Sequence, residues 1–235
     1  MTDVTVHGLT KRYGALTAVD DLTFELRAGR VTAFLGPNGA GKTTTLRLLL
    51  GLARPTAGRA LIGGRPYAEL PRPRRVVGAV LEDAAVHPGR RGRDHLRILA
   101  RPAGASAQRV TDVLEAVDLA DAAGRRVGGY SLGMRQRLAV AGALLGDPDV
   151  LVLDEPANGL DPGGMAWLRG LLRERAAAGR TVVLSSHVLS EVAQTADDVV
   201  VLHRGVLRYA GPLDALAGGD SLEAAFLRLT EAVPA

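Results

Sequence analysis

The sequence has no cysteine, few aromatic residues and no long apolar run. Its 235 residues include one Trp, four Tyr and three Phe. Without thiols the chain forms neither disulfides nor Cys-ligated zinc or iron–sulfur sites, which favours a reducing compartment. The longest stretch without charged residues, 31–41, is too short and too rich in glycine and proline to span a bilayer. The first residues lack the basic and apolar regions of a signal peptide, so we expect a soluble globular chain.

Lysine is also scarce. Among 29 Lys and Arg residues, only Lys11 and Lys42 are lysines, and the formal net charge is +4. Arginine is a good partner for phosphates, so nucleic-acid binding has to be considered. Because the arginines are spread along the whole chain, a genome-wide coding preference explains them better.

Apolar runs alternate with helical patterns along much of the sequence. Runs without alternation, as found here, are typical of strands buried on both faces of a parallel sheet, and their order with the helices predicts an α/β fold. The strand candidates are Val31–Leu35, Val150–Leu153 and 182–184, with weaker ones at 76–81 and 199–202. Helices are predicted at 42–50, 162–178 and 189–196.

Two regions depart from this alternation. Residues 4–9 and 22–26 have the period of two that is typical of a half-exposed antiparallel sheet. Helical patterns at 94–100, 107–117 and 135–145 have no convincing strand between them. We therefore predict one domain, in which 1–89 and 147–212 form the core with an antiparallel β subdomain. Residues 90–146 are predicted to form an inserted helical subdomain, and 213–235 a short helical tail.

A glycine-rich segment lies between the first buried strand and its helix. It matches G-x-x-x-x-G-K-[ST] with Gly36, Pro37, Asn38, Gly39, Ala40, Gly41, Lys42 and Thr43. Glycines let backbone N–H groups turn toward a phosphate, and the helix presents its positive end to the same anion. Lys42 is then expected to reach the β- and γ-phosphates, and the Thr43 hydroxyl to ligate Mg²⁺. The segment predicts a nucleotide-binding P-loop.

Polar residues follow two further predicted strands. Asp154 and Glu155 come directly after Val150–Leu153, and His187 follows the strand at 182–184. At the carboxyl end of a parallel sheet Asp154 is placed to hold Mg²⁺, and Glu155 to activate a water that attacks the γ-phosphate. His187 is expected to contact the γ-phosphate. Acids at strand ends also serve simply as turn formers, and an isolated histidine is more often structural.

In this order, the motifs make the sequence resemble the ATP-binding subunits of ABC transporters over nearly its whole length. The resemblance rests on the P-loop, the segment Tyr130-Ser131-Leu132-Gly133-Met134, the Asp154–Glu155 pair, Asp161 and His187. It implies a P-loop NTPase core with a mainly parallel sheet, an N-terminal antiparallel β subdomain and an inserted helical subdomain. It also implies ATP and Mg²⁺ as ligands.

The resemblance assigns roles to further residues. Tyr13 would stack on adenine, and Thr44 would add contacts to the phosphates. Asp161 would belong to the loop that joins two protomers. Ser131 and Gly133 would approach the γ-phosphate bound by the opposite protomer, in a homodimer or in a pseudo-dimer with a related ATPase.

The sequence departs from the family pattern at two places. The usual signature is Leu-Ser-Gly-Gly-Gln, whereas Tyr130, Leu132 and Met134 stand at its first, third and fifth positions here. Similar variants occur in drug- and bacitracin-resistance exporters. Where the family commonly has a glutamine, this chain has Glu82, to which the resemblance gives a role facing Mg²⁺ or water. A solvated loop acid is the alternative for Glu82.

We expect an ATPase that powers an exporter of a drug, peptide or lipid-like substrate through a separate permease. It would lie at the cytoplasmic face of the membrane, held peripherally by that permease. One alternative is an ATP-binding regulatory module with weak hydrolysis. The other is a soluble relative that acts on nucleic acid, which we do not expect because the arginines between 54 and 93 are accompanied by one aromatic residue, Tyr67.

Overall fold

The computed structural model describes residues 2–81, 86–218 and 221–231. The chain divides into two compact units, one made of residues 1–70 and 171–235 and the other of residues 71–170. The boundary near residue 170 falls inside a helix, α6 (Pro162–Ala177).

The first unit contains an antiparallel sheet with strand order β2-β1-β4, formed by β1 (Val4–Tyr13), β2 (Leu16–Leu26) and β4 (Ala57–Ile62). Val4 pairs with Leu26 and Val6 with Phe24, so one face of the sheet buries apolar side chains. The strands predicted at 4–9 and 22–26 are confirmed. Both are longer than predicted because polar residues continue the hairpin toward Tyr13.

A second group of strands in this unit has a parallel centre. It consists of β3 (Val31–Leu35), β7 (Thr181–Ser185), β8 (Asp198–His203) and β9 (Val206–Pro212). Strand β3 pairs in parallel with β7 on one side and β8 on the other, and β9 pairs antiparallel with β8. All residues of β3 and β7 are buried, which explains why both strands are predominantly apolar.

In the described part of the first unit, the helices are α1 (Lys42–Leu49), α7 (Leu189–Thr195), α8 (Leu213–Ala217), α9 (Leu222–Glu231), the second part of α6 and a short 3-10 turn at Tyr67–Glu69. Helix α1 follows β3, and α7 follows β7. The predicted helices at 42–50 and 189–196 are therefore confirmed to within a residue or two.

Within residues 71–81 and 86–170, the second unit is mainly helical and contains two strands. Its elements are α2 (Pro73–Val76), β5 (Val77–Val80), α3 (Gly92–Ala103), α4 (Ala107–Ala116), α5 (Leu132–Leu144), β6 (Val150–Leu153) and the first part of α6. Strands β5 and β6 are parallel, with Val77 opposite Val150. A Cβ on Gly78 would lie 2.2 Å from the Ala143 carbonyl oxygen, so glycine allows α5 to pack directly on β5.

The structure bears out the predicted α/β class, with an antiparallel N-terminal sheet, parallel strands and helices. Helices α3, α4 and α5 confirm the three helical patterns between 94 and 145, although α3 and α5 begin earlier than predicted. Strands β4 and β9 were not predicted. The division into subdomains at 1–89, 90–146, 147–212 and 213–235 stays a prediction. In the part of the chain described here, no helix is both long and apolar enough to cross a membrane.

Candidate functional site

The glycine-rich segment forms a tight loop between β3 and α1. Gly36, Gly39 and Gly41 have φ values of 156°, 78° and 103°, a range that side chains with a Cβ rarely adopt. The surrounding backbone is also very close. A Cβ on Gly36 would lie 2.4 Å from the Leu202 carbonyl oxygen, and one on Gly41 would lie 2.7 Å from the Ala18 carbonyl oxygen. The glycines therefore allow the loop to pack against its neighbours.

Lys42 lies at the end of this loop and at the start of α1. Its side chain is only 7% exposed, and its Nζ donates hydrogen bonds to the carbonyl oxygens of Gly36, at 2.6 Å, and Pro37, at 3.3 Å. Helix α1 has no side-chain cap and no acidic residue in its first turn. An ammonium and an uncapped helix N-terminus, both at one glycine loop, form a fitting environment for phosphate. Thr43 and Thr44 follow in the first turn, where both are half-buried.

His187 belongs to the same edge of the first unit. The Ser186 N–H donates to the Phe34 carbonyl oxygen at 3.1 Å, so the end of β7 lies beside the end of β3, where the loop begins. The Ser186 hydroxyl accepts from the Val188 N–H at 3.0 Å and shapes the turn that carries His187. His187 itself is exposed. The structure thus brings the predicted histidine and the predicted phosphate loop to one edge.

Tyr13 is the last residue of β1. Its side chain is 49% exposed, and the Lys11 Nζ lies 4.7 Å from the centre of its ring. The Lys11 ammonium also donates to the Arg54 carbonyl oxygen at 2.8 Å. A half-exposed ring is compatible with stacking on adenine, and this role of Tyr13 stays a prediction.

In the second unit, the two acids follow β6 as predicted. The Asp154 N–H donates to the Val80 carbonyl oxygen at 2.8 Å, which continues the pairing of β5 with β6, and the residue is only 2% exposed. Glu155 has a φ of 50°, a left-handed backbone conformation that costs a residue with a Cβ about 1–2 kcal/mol. Strained backbone of this kind concentrates at functional sites.

Ser131 and Asp161 each begin a helix in the second unit. The Ser131 hydroxyl accepts from the Met134 N–H at 3.1 Å and caps α5, and the Asp161 carboxylate accepts from the Gly164 N–H at 2.7 Å in the first turn of α6. Gly133 lies close to the Gly159 carbonyl oxygen, which a Cβ on Gly133 would approach to 3.3 Å. The two segments are therefore neighbours.

Ser131, Gly133 and Asp161 line one cavity of about 500 Å³. Asp118, Asp121 and Arg137 also line it, and the motifs did not identify these three residues. Helical spacing is the signal that points to Arg137, because it lies four residues after Gly133 and so on the same face of α5. Asp118 and Asp121 come from a connecting segment, for which no periodic pattern exists.

Tyr130 has a structural role where the family signature has leucine. It is buried, its hydroxyl donates to the Ala122 carbonyl oxygen at 2.7 Å, and burial raises its pKa although the nearby Arg125 charge opposes that shift. Leu132 lies against Gly159, where a Cβ would meet the leucine Cδ2 at 2.2 Å. Glu82 lies outside the described residues, so its role stays a prediction.

Comparison with known proteins agrees with these features. A family model described as ABC transporter matches residues 19–158. The chain is 42% identical to the bacitracin transport ATP-binding protein BcrA of Bacillus licheniformis, over 88% of this chain and 69% of that protein. It is 34% identical to the lantibiotic transport ATP-binding protein SrtF of Streptococcus pyogenes, over 94% of each. A solved structure of the ATP-binding subunit of an ABC transporter superimposes with a TM-score of 0.88 at 30% identity, over 96% of this chain and 98% of that one.

Proposed function

The chain belongs to the ATP-binding subunits of ABC transporters, and from this premise we propose that it hydrolyses ATP to power export through a separate membrane permease. The observation that carries the proposal is the position of Lys42, buried against the carbonyl oxygens of the glycine loop at the uncapped start of α1. A compact ammonium in this place suits the β- and γ-phosphates.

ATP binding is assigned to the first unit. Backbone N–H groups of the loop and the Lys42 ammonium hold the phosphates, with further contacts from Thr43 and Thr44. Tyr13 stacks on the adenine with its exposed ring. These groups lie at the end of β1, in the loop that follows β3 and in the first turn of α1.

The donor atoms proposed for Mg²⁺ are hard oxygens, the kind that this ion prefers. The Thr43 hydroxyl at the start of α1 and the buried Asp154 carboxylate after β6 fit that chemistry, and Glu82 is the third candidate. When bound, Mg²⁺ would neutralise charge that develops on the transferring phosphate.

Hydrolysis is assigned to Glu155 and His187. Glu155 orients a water for attack on the γ-phosphorus and takes up its proton, while His187 donates a hydrogen bond to a γ-phosphate oxygen. The left-handed backbone of Glu155 supports this role, because strained backbone conformations are concentrated at active sites, where they orient catalytic side chains.

We assign Ser131, Gly133 and Asp161 to the contact between two ATPase subunits. In a homodimer, or a pseudo-dimer with a related ATPase, Ser131 and Gly133 approach the γ-phosphate held by the opposite subunit. The cavity that these residues line supports the assignment, since it offers space beside the first turn of α5. ATP closes the dimer because it binds the closed state more tightly, and hydrolysis reopens it.

The names of the relatives guide the choice of substrate class. BcrA is named for bacitracin transport and SrtF for lantibiotic transport. We propose that this chain serves export of a drug, peptide or lipid-like compound, and that its permease holds it at the cytoplasmic face of the membrane. Residues 90–146 would carry the motion of the dimer to that permease.

The test is Mg²⁺-dependent phosphate release by the purified chain, alone and with its membrane partner. Glu155→Gln should lower the turnover number by about 10²-fold or more while ATP binding persists, because the amide cannot accept the proton. Glu25→Gln, a matched change at an exposed acid on β2, should leave turnover unchanged. Full turnover in Glu155→Gln would remove the assignment.

A further inference from the structure

Two segments of the second unit run side by side and expose arginines. The Val127 N–H donates to the Arg90 carbonyl oxygen at 2.9 Å, and the Gly92 N–H donates to the Arg125 carbonyl oxygen at 3.3 Å. This antiparallel bridge places Arg91 opposite Arg126, and both side chains are exposed. Two cations are therefore fixed next to each other by backbone pairing.

Helix α3 begins at this bridge and continues the row of arginines. Arg93, Arg97 and Arg101 are exposed and are spaced four residues apart. On an α-helix this spacing puts them on one face, about 6 Å apart along the axis. We call the five residues Arg91, Arg93, Arg97, Arg101 and Arg126 the arginine stripe.

The charge of the stripe is hardly neutralised. Within residues 2–81, 86–218 and 221–231, no side-chain hydrogen bond or ion pair is formed by Arg91, Arg93, Arg101 or Arg126. Arg97 approaches the exposed Asp94 at 3.4 Å, a pair that contributes little in water. By contrast, the exposed Arg173 on α6 donates to the Gln194 carbonyl oxygen at 2.7 Å. Among the described residues, the exposed Arg27, Arg59 and Arg65 of the first unit also form no side-chain hydrogen bond or ion pair, so the close spacing of the stripe on one surface, rather than the lack of partners alone, distinguishes it.

The surroundings of the stripe add cationic and apolar character. At the far end of α3, Arg75 donates to the Gly104 carbonyl oxygen at 3.0 Å. Ile98, 51% exposed, follows Arg97 on the same helix. On the same helix His95 is half-buried, and burial together with the Arg90 charge lowers its pKa.

We propose that the arginine stripe binds the headgroups of anionic phospholipids directly. Exposed arginines without fixed partners can each approach a lipid phosphate, and one guanidinium group can donate two parallel hydrogen bonds to two oxygens of the same phosphate. The exposed Ile98 suits the boundary between headgroups and acyl chains. Lipid headgroups move laterally in the membrane, so they can take positions that match arginine side chains without a fixed orientation. This contact goes beyond the proposed function, in which the permease alone attaches the chain to the membrane.

The experiment measures sedimentation of the full chain with vesicles at low salt. Vesicles of phosphatidylcholine containing phosphatidylglycerol should bind the chain, those of phosphatidylcholine alone should not, and added salt should release it. The triple variant Arg93→Gln, Arg97→Gln, Arg101→Gln should bind at least about tenfold more weakly, since each cation near an anionic surface contributes severalfold. The matched control Arg27→Gln, Arg59→Gln, Arg65→Gln loses the same charge from exposed positions of the first unit and should bind within about twofold of the wild type.

An equal loss in both triple variants would overturn the proposal, because only total charge would then matter. Wild-type binding to permease-containing membranes but not to anionic vesicles would also overturn it, and would assign the stripe to an acidic segment of the permease. Phosphate release without vesicles, measured on the same samples, should be unchanged in the Arg93, Arg97, Arg101 variant. The vesicle result and the test of Glu155 are therefore independent.

Discussion

The guanidinium of Arg137 lies over the ring of Trp167, 4.7 Å from its centre. Arg137 also donates to the Val117 carbonyl oxygen at 3.2 Å, and the Trp167 Nε1 donates to the Ala116 carbonyl oxygen at 3.0 Å. One stacked pair therefore joins α5 and α6 to the carboxyl end of α4. Because Arg137 lines the cavity beside Ser131, this contact also fixes one wall of the proposed subunit contact.

The first prediction concerns this pair. Arg137→Ala should lower the free energy of unfolding by about 1–2 kcal/mol, since it removes a cation–π contact, the hydrogen bond to the Val117 carbonyl oxygen and an ion pair with the exposed Asp118 carboxylate. Arg137→Lys keeps the charge but not the planar fork, and should recover only part of the loss. Urea unfolding can be followed by the fluorescence of Trp167, the sole tryptophan of the chain, and by circular dichroism for the double variant with Trp167→Phe. Strictly additive losses in the double variant would contradict a direct contact.

The second prediction concerns Gly92 and Tyr130. A Cβ on Gly92 would lie 2.3 Å from the Tyr130 hydroxyl oxygen and 3.2 Å from its Cζ. Gly92→Ala should therefore destabilise the protein by about 1–3 kcal/mol through overpacking. Tyr130→Phe alone should cost about 1 kcal/mol, because the Ala122 carbonyl loses its donor.

In the double variant the clash with the hydroxyl is gone, so Gly92→Ala should cost distinctly less than it does alone. Thermal and urea unfolding of the four proteins measures the coupling. If Gly92→Ala costs the same with and without the hydroxyl, the close approach does not limit this site.

The third prediction separates two glycines of the phosphate loop. Gly36→Ala should destabilise the fold by about 3 kcal/mol and weaken ATP binding, since its Cβ would press on the Leu202 carbonyl oxygen at 2.4 Å. In Gly39→Ala no atom lies within 4 Å of the new Cβ, so only the left-handed φ of 78° is unfavourable, and the free energy of unfolding should fall by about 1 kcal/mol. Urea unfolding and nucleotide titration compare the two. A larger loss in Gly39→Ala would mean that backbone conformation, rather than space, limits the loop.

Many strands and helices could be predicted from the sequence because strands that are buried on both faces consist mainly of apolar residues. Strands β3, β6 and β7 are buried throughout and appear as apolar runs, and the helices that follow them begin where predicted. Strand β4 is mostly exposed and β9 is half-exposed, so neither carries a continuous apolar run. Their positions depend on pairing with β1 and β8, which are distant in sequence or joined by a short turn.

The sequence by itself determined the chemistry that a short segment carries: the P-loop with its single lysine and the acids after a buried strand. These depend on local backbone geometry and on residue type. Only the tertiary structure decided which side chains meet across the chain, as Arg137 meets Trp167 and Gly92 makes room for Tyr130. It also decided which arginines remain without partners, because ion pairs and burial depend on residues brought together from distant positions.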